Sequence, residues 1–259
     1  MLNIGIDGFN SYVAANFCNK YRNKYKIHKF KSDINNIDKL KIFIKKKNIS
    51  IFIRFAGLSR YKCDLYPKKC LSSNYNANKS LVDFLKKNKI KLIFISSSHV
   101  YEKSNKKISE KSKINPNSKY GKYKLKSENY ISKHLDKYLI VRIFNIYGKY
   151  QPEGYFISDI KEKIRNKKSI SINNSQRDFI HVDEVSRFLS FSITKNLEGI
   201  FNLGSGKSYK LANIIMMISN KMKIKCNLLV KTKADKLVSD ITLIKKNGFK
   251  VKNEKNFSI

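Results

Sequence analysis

The chain is poor in the residues that build metal sites, cross-links and membrane spans. It has four cysteines and four histidines among 259 residues. No two cysteines are spaced Cys-x-x-Cys and the histidines show no metal-ligand spacing, so we expect reduced, mostly buried thiols and no bound metal. No apolar stretch approaches about 18 residues and no signal peptide opens the chain, which predicts a cytoplasmic protein without a membrane partner.

Acidic residues are also scarce. The chain has 19 acidic residues against 55 basic ones, which gives a formal net charge of +36. Such a charge is typical of proteins that bind nucleic acids or anionic surfaces. Here, however, lysine, asparagine and isoleucine are spread along the whole length, as a biased codon usage would produce. We therefore expect no specific nucleic-acid partner, and only weak, salt-sensitive attraction to polyanions.

Apolar runs alternate with helical patterns along the chain. The strand-like runs are Leu2–Ile6, Tyr25–Phe30, Ile49–Phe55, Lys91–Ser96 and Leu139–Phe144, and helical patterns such as Asp38–Lys47 and Ser72–Lys87 separate them. The length is sufficient for a substantial core. This alternation predicts an α/β fold with a Rossmann-type, doubly wound parallel sheet.

One Tyr-x-x-x-Lys pair stands out by its surroundings. The spacing occurs three times, at Tyr25/Lys29, Tyr75/Lys79 and Tyr120/Lys124. About three matches are expected by chance in so lysine-rich a chain, so the spacing alone means little. The third pair, however, begins a helical stretch and follows an apolar run that ends in three serines. Only this pair has the neighbourhood of an active site.

Ser97, Tyr120 and Lys124 are therefore the predicted catalytic residues. A strand of a parallel sheet delivers its last residues to the edge where ligands bind. Residues four apart lie on one helix face, and a lysine ammonium there favours the phenolate and lowers the tyrosine pKa from its ordinary value of about 10. Ser97 would hold the substrate oxygen. The alternative is a surface Tyr/Lys pair beside a serine-rich strand end.

Further segments carry a resemblance to a known family over nearly the whole chain. They are, in order, Gly5 to Ser11, Asp33-Ile34, Phe55 to Leu58, Asn74 with Asn78, Ser96 to Tyr101, Tyr120 to Lys124, Arg142 to Gly148, Gln176 to Asp183 and Asn202 to Gly206. Together they resemble the extended short-chain dehydrogenase/reductases, in particular the nucleotide-sugar epimerase/dehydratase branch.

The resemblance implies a nicotinamide cofactor, NAD or NADP. Its predicted contacts are Gly5, Gly8, Phe9, Asp33, Ile34, Ala56, Gly57, Asn74 and Lys124. Ser11 replaces the third glycine of the expected phosphate-binding turn. Lys29 and Lys31 occur where an NAD enzyme usually has an acidic residue, which favours NADP. Asp33 is either an adenine contact or a solvated turn residue.

The resemblance also implies a nucleotide-sugar substrate held by Ser98, Asn145 and Arg177, with Arg177 on the diphosphate. The family's dehydratases have Asp and Glu where this chain has Ser98 and His99, so dehydration is disfavoured. We expect an NAD(P)-dependent nucleotide-sugar epimerase similar to UDP-glucose 4-epimerase, or a 4-keto-sugar reductase. The alternative is a non-catalytic nucleotide- or polyanion-binding protein on the same fold.

The domain organisation is expected to follow the family. Residues 1–145 would form the dinucleotide-binding domain, with 176–200 packing back onto it. Residues 146–175 and 201–259 would form a small, interleaved substrate-binding lobe towards the C-terminus. The segment between the second strand and Asp33 is nearly absent, which resembles compact 4-keto-sugar reductases. The resemblance further implies a homodimer.

Overall fold

The computed structural model describes residues 1–33 and 35–252. Its strands are β1 (Asn3–Asp7), β2 (Lys26–Lys29), β3 (Ile51–Arg54), β4 (Lys91–Ser97), β5 (Tyr138–Ile143), β6 (Asn145–Tyr147), β7 (Ile170–Arg177), β8 (Phe179–His181), β9 (Gly199–Leu203), β10 (Tyr209–Lys210) and β11 (Leu228–Leu237). Its α-helices are α1 (Tyr12–Tyr21), α2 (Ile37–Lys46), α3 (Arg60–Leu65), α4 (Pro67–Leu71), α5 (Ala77–Lys87), α6 (Lys119–His134), α7 (Phe156–Arg165), α8 (Val182–Thr194), α9 (Leu211–Met222) and α10 (Thr242–Lys246). A π-helical turn spans Ser72–Asn76 and a 3₁₀ turn spans Ser98–Val100.

The main sheet is parallel, with the strand order β2-β1-β3-β4-β5-β9. Because successive side chains of a strand point to opposite faces, β3 sends Ile53 into one hydrophobic core and Phe52 into the other. Both faces are covered by helices, so strands such as β3 are buried throughout. The predicted doubly wound α/β fold is therefore confirmed.

Among the residues that the structure describes, three helices pack on each face of the main sheet. Helices α1, α8 and α10 supply apolar side chains to the first core, and α2, α5 and α6 supply them to the second. Helix α6 begins where the Ser118 side chain accepts a hydrogen bond from the Gly121 amide, 3.1 Å away. This cap fixes the start of the helix that carries Tyr120 and Lys124.

A smaller lobe is built on a three-stranded sheet of order β10-β7-β11. Helices α7 and α9 pack on it through a separate apolar cluster that includes Ile160, Ile164, Ile214 and Ile218. Two segments of the predicted lobe lie elsewhere in the structure. Strand β9 pairs with β5 in the main sheet, and Phe249 lies in the first core. The expected boundary at residue 201 therefore falls inside a strand of the main sheet.

The expectation that all four cysteines are reduced is wrong for one pair. Cys63 in α3 and Cys70 in α4 form a disulfide with a Cα–Cα distance of 4.9 Å, and both residues are fully buried. The two short helices meet at Tyr66, and this turn brings together residues that are seven apart. Cys-x-x-Cys spacing is no guide to such a pair. Cys18 and Cys226 are free thiols.

Two structural features are absent from the part of the chain that the structure describes. No helix there is long and apolar enough to cross a membrane. No three histidine, cysteine, aspartate or glutamate side chains within residues 1–33 and 35–252 are grouped as metal ligands would be.

Candidate active site

A cleft opens at the carboxyl edge of the main sheet, between β1 and β3. The chain leaves these neighbouring strands in opposite directions, because β2 lies on one side of the pair and β4 on the other. Ligands of open α/β sheets bind at such a switch point. The cleft has a volume of about 290 Å³ and is lined by Asp7, Gly8, Phe9, Asn10, Ser11, Phe30, Lys31, Ser32, Phe55, Ala56 and Gly57.

The glycine-rich turn lies three residues later than the sequence suggested. Gly5 is in the middle of β1, paired with His28 and Phe52, so its assignment to the cofactor turn is wrong. Its missing side chain instead leaves room for Phe52, 2.9 Å from an ideal Cβ. The turn itself begins at Gly8, which has φ +57° and whose Cβ would lie 2.7 Å from the Ala56 nitrogen.

The turn leads directly into the amino end of α1. The Ser11 amide donates to the Gly8 carbonyl at 2.7 Å and closes the turn. Ser11 precedes α1 and makes no side-chain cap within the described residues. Helix amino ends with open amides attract phosphate groups, so this cradle fits the pyrophosphate of a dinucleotide. Gly8 and Phe9, both predicted cofactor residues, line it.

A buried ion pair forms the floor of the cleft. Arg54 at the end of β3 is fully buried, and its NH1 lies 2.5 Å from Asp7 at the end of β1. The other Asp7 carboxylate oxygen accepts from the Ala56 amide at 2.7 Å. Arg54 Nε also donates to Asn78 Oδ1 at 2.6 Å. Sequence reasoning missed this pair, although each residue is the one charge that ends an apolar strand.

Asn74 acts on the cleft through the loop that follows β3. Its Oδ1 accepts from the Leu58 amide at 2.7 Å and its Nδ2 donates to the Leu58 carbonyl at 3.0 Å. Gly57, with φ +144°, packs so close to Asn74 that an ideal Cβ would lie 2.9 Å from Oδ1. The buried Asn74 therefore holds the wall formed by Ala56 and Gly57 in place.

The residues at the end of β2 and directly after it divide into two groups. Lys31 and Ser32 line the cleft, whereas Lys29 points its ammonium over the Phe9 ring at 5.8 Å. Asp33 is exposed, and its carboxylate accepts from the Asn35 amide at 2.8 Å. This arrangement favours the turn interpretation of Asp33 over an adenine contact. Ile34 lies outside the described residues.

The three predicted catalytic residues meet at the end of β4. Ser97 is the last residue of β4, and its hydrogen bond to Tyr120 is one of the interactions that act on the tyrosine pKa. The Lys124 ammonium lies 5.9 Å from the centre of the Tyr120 ring. Gly121 makes this approach possible, because a Cβ there would lie 2.3 Å from the His99 carbonyl oxygen. Helix α6 can therefore press against the 3₁₀ turn after β4.

The Tyr120 phenol is held in its protonated form. Burial raises its pKa to about 12, the nearby Tyr155 raises it too, and the Ser97 hydrogen bond lowers it. The expected lowering of the tyrosine pKa by Lys124 together with an oxidised nicotinamide ring stays a prediction for the cofactor-bound protein. Without the cofactor, the phenol keeps its proton. The physical reason is burial, which disfavours the phenolate more than the Ser97 hydrogen bond favours it.

Lys124 is buried beneath the site. Its ammonium donates to the Ile95 carbonyl at 2.7 Å and lies 4.7 Å from the centre of the Phe94 ring. Burial lowers its pKa to about 8, with Arg54 acting in the same direction and Asp7 and Glu128 opposing it. The Lys124 ammonium therefore gives up its proton more readily near neutral pH than an exposed lysine does.

A second buried ion pair ties α6 to the sheet. Glu128 of α6 accepts from Arg142 of β5, with NH2 2.6 Å from Oε2, and also from the Ser96 hydroxyl. Arg142 NH1 donates to the Tyr101 hydroxyl at 2.7 Å. These bonds join β4, β5 and α6, and they fix the helix that presents Tyr120.

Two aromatic residues at the site were not predicted as functional. The His99 ring meets Tyr120 edge to face at 5.8 Å, and Tyr155 lies within electrostatic reach of Tyr120. Burial, and to a lesser extent the charges of Arg60, Arg177 and Lys103, lower the His99 pKa to about 4. His99 is therefore neutral at physiological pH. Its place directly after the three serines was the available signal.

The predicted substrate residues surround this centre unevenly. Ser98 is buried within the 3₁₀ turn. Asn145 begins β6, and its Nδ2 donates to the Asp178 carbonyl at 2.8 Å. Arg177 ends β7 and forms an ion pair through NH1 with Asp235 of β11. Its hydrogen bonds to the Gln176 and Asp235 carbonyls also use NH1.

Comparisons with known proteins agree with this geometry. The chain is 33% identical over 225 residues to dTDP-4-dehydro-6-deoxyglucose reductase of Escherichia coli, covering 80% of this chain and 69% of the relative. It is 26% identical over 249 residues to ADP-L-glycero-D-manno-heptose-6-epimerase of Brachyspira hyodysenteriae, covering 85% and 75%. The crystal structure of dTDP-4-dehydrorhamnose reductase from Bacillus anthracis, in complex with NADP, superimposes with a TM-score of 0.84 at 19% identity, covering 96% and 93%.

The family model for the NAD-dependent epimerase/dehydratase family matches residues 8–204. This span runs from Gly8 in the phosphate turn, through Ser97, Tyr120 and Lys124, to Gly204 after β9. The cofactor class predicted from the sequence, a nicotinamide dinucleotide, is that of the family. The resemblance read from the motifs is confirmed, and the chain belongs to the NAD-dependent epimerase/dehydratase family.

Proposed function

We propose that the protein is an NADP(H)-dependent reductase that acts on the 4-keto group of a nucleoside diphosphate sugar. The observation that carries the proposal is the protonated Tyr120 phenol beside Ser97, because reduction of a carbonyl needs a proton donor at the carbonyl oxygen. The 33% identity to a relative named as a dTDP-4-dehydro-6-deoxyglucose reductase supports the same reaction.

The chain's own residues would bind, orient and protonate the substrate. Ser97 would donate to the keto oxygen and hold it against the Tyr120 hydroxyl, which would then give up its proton. A bound nicotinamide supplies the hydride at the sugar carbon. Lys124, with a pKa of about 8, would stabilise the phenolate left on Tyr120 and help to return its proton.

NADP(H) is preferred in this proposal because of the residues that line the cleft. Lys31 and Ser32 follow β2, where the ribose of a dinucleotide is held in this fold. An ammonium and a hydroxyl suit a 2′-phosphate, whereas an NAD enzyme usually has a carboxylate there. Gly8, Ser11 and the amino end of α1 would receive the pyrophosphate.

The nucleotide end of the substrate would lie towards the small lobe. Arg177 lies within electrostatic reach of His99, and Lys103 and Arg60 add positive charge around the same histidine. A guanidinium binds diphosphate oxygens in a bidentate manner. Asn145, held by the Asp178 carbonyl, would direct its amide oxygen to a sugar hydroxyl.

A nucleotide-sugar epimerase is the second candidate. It is favoured by the match to a heptose-6-epimerase, which covers more of this chain than the reductase match does. The same three catalytic residues serve an epimerase, in which Tyr120 takes a proton and later returns it. The two reactions differ in whether reduced cofactor is consumed.

The test is to incubate the protein with NADPH or NADH and a panel of nucleotide sugars that includes dTDP-4-dehydro-6-deoxyglucose. A reductase consumes one reduced cofactor for each product molecule. An epimerase gives a stereoisomer without net consumption of cofactor. Cofactor binding without any product across the panel would overturn both and favour the non-catalytic alternative. The Tyr120→Phe variant is the negative control for chemistry.

A further inference from the structure

We propose that Cys63 and Cys70 form a reversible thiol–disulfide site whose redox state controls the wall of the cofactor cleft. The two cysteines lie in α3 and α4, which are six and five residues long and are separated only by Tyr66. The disulfide joins them across a sequence separation of seven residues. A cross-link over so short a loop constrains the unfolded chain less than a long one would, so its main effect is local.

The sulfur of Cys63 touches the residue that positions the cleft wall. Asn74 Nδ2 lies 3.5 Å from Cys63 Sγ and 3.0 Å from the Leu58 carbonyl. The oxygen of the same amide accepts from the Leu58 nitrogen at 2.7 Å and is in contact with Gly57. Gly57 lines the cofactor cleft. One side-chain amide therefore connects the disulfide to the cleft.

Asn74 is also part of the polar core beneath the site. Its backbone carbonyl accepts from Asn78 Nδ2 at 2.8 Å and from the Ser127 hydroxyl at 2.7 Å. Asn78 in turn bonds to Arg54, the partner of Asp7 on the cleft floor. Since these groups are buried and mutually bonded, a shift of Asn74 would weaken several hydrogen bonds at once.

Breaking the disulfide changes the packing around Asn74. Reduction by a dithiol cleaves the S–S bond and yields two thiols, while the dithiol loses two electrons and two protons to become a disulfide itself. The two sulfurs then sit at non-bonded distance in a space that is fully enclosed. Because protein interiors are close packed, the added separation must move α3, α4 or Asn74.

The segment is suited to open for exchange. The intervening surface exposes three large side chains, Tyr61, Leu65 and Tyr66, which are 60%, 53% and 58% exposed. Helices this short, with apolar residues turned to solvent, belong to the least stable parts of a fold. A dithiol reductant can thus reach the sulfurs after local opening. Disulfides in cytoplasmic proteins are usually of this reversible kind.

The first test counts thiols and measures backbone exchange, neither of which depends on the proposed reaction. The protein purified in air, then denatured and alkylated, is expected to show two free thiols, Cys18 and Cys226, and four after dithiothreitol. Hydrogen exchange at the Leu58 amide is expected to become faster on reduction. Four thiols before reduction, or unchanged exchange at Leu58 despite reduction, would overturn the proposal.

The second test measures NADPH binding by fluorescence with and without dithiothreitol. Reduction is expected to weaken NADPH binding by at least about threefold, because a smaller fraction of the molecules then holds Ala56 and Gly57 in the position that binds the cofactor. The Cys63→Ser/Cys70→Ser variant is expected to bind like the reduced protein and to ignore dithiothreitol, with Cys70→Ala as a second form if it folds poorly. Cys226→Ser, a free thiol in the small lobe, is the matched control and should respond like wild type. Equal binding by oxidised and reduced wild type would contradict the coupling.

Discussion

The main sheet and the small lobe hold their charged groups in different ways. In the main sheet, the side chains of Asp7 and Arg54 are only 1% and 0% exposed, and every residue of β3 is buried. In the lobe, Arg177 pairs with Asp235 on a strand, β11, that has six consecutive exposed residues. The ion pair of the main sheet is therefore fully enclosed. In the lobe the enclosure is partial, because the side chains of Arg177 and Asp235 are 16% and 8% exposed and that of Lys103 is 42% exposed.

This difference indicates which part of the site is adjustable. A buried charge that loses its partner is strongly destabilising, so substitutions at Asp7 or Arg54 carry a large cost. The pair of Asp235 with the half-exposed Lys103 contributes less, because water competes with it. In the proposed reaction, the main sheet would therefore set the cofactor geometry and the lobe would set the choice of sugar nucleotide.

The largest expected effect is on stability, at the buried pair. Arg54→Leu should lower the free energy of unfolding by about 3–5 kcal/mol, because it leaves Asp7 buried without its partner. Urea unfolding measures the change. Lys103→Met, which removes a half-exposed partner of Asp235, is the control and should cost no more than about 1 kcal/mol. Equal losses in the two variants would show that ion pairs in the two regions stabilise the fold to the same extent.

The next effect is on chemistry. Tyr120→Phe should reduce turnover by about a hundredfold or more while leaving NADPH binding intact, since it removes only the proton donor. Steady-state kinetics and fluorescence titration measure the two quantities. Tyr123→Phe, one residue before Lys124 on the same helix, should retain wild-type turnover. Near-normal turnover in Tyr120→Phe would remove this residue from the mechanism.

The third effect depends on pH and tests the junction of the two regions. The His99 pKa is about 4 in the folded protein, below its ordinary value of 6.5, because of burial and the charges of Arg60, Arg177 and Lys103. The unfolded chain therefore binds the extra proton first, and stability falls as pH decreases from 6.5 towards 4.

The measurement is urea unfolding at pH 7 and pH 4.5 for wild type and His99→Gln. Between these two conditions, the free energy of unfolding of the variant should fall by about 2 kcal/mol less than that of wild type. This value is slightly below the one that the full pKa difference would give, because the ring is only partly enclosed. Between pH 7 and pH 8 the two proteins should change equally. An identical acid loss in both would show that His99 is not held neutral by its surroundings.

The smallest effect concerns cofactor preference. Wild type should bind NADPH at least about threefold more tightly than NADH, the free energy of one exposed ion pair, and Lys31→Ala should abolish the difference. Lys29→Ala is the matched control, because Lys29 faces Phe9 and does not line the cleft. Tighter binding of NADH by wild type would mean that Lys31 points to solvent.

Local patterns predicted much of the fold and the residues that meet in the candidate site at the end of β4. Alternating apolar runs indicated the strands of the parallel sheet because a strand buried on both faces has a plain sequence signature. The Tyr120/Lys124 pair was identified because helix geometry and the preceding serines are local features. Gly5 was misassigned because a glycine that relieves strand packing resembles a glycine that forms a turn. Neighbours distant in the chain, Phe52 and Ile49, distinguish the two.

The amino-acid sequence by itself determined the alternation of strands and helices, the order of the motifs and the family. Tertiary structure alone decided the pairing of Arg54 with Asp7, the position of β9 in the main sheet, the Cys63–Cys70 bond and the neutral state of His99. The reason is physical. Helix and strand patterns arise from neighbours along the chain, whereas burial, ion pairing and pKa values depend on groups that folding brings together from distant positions.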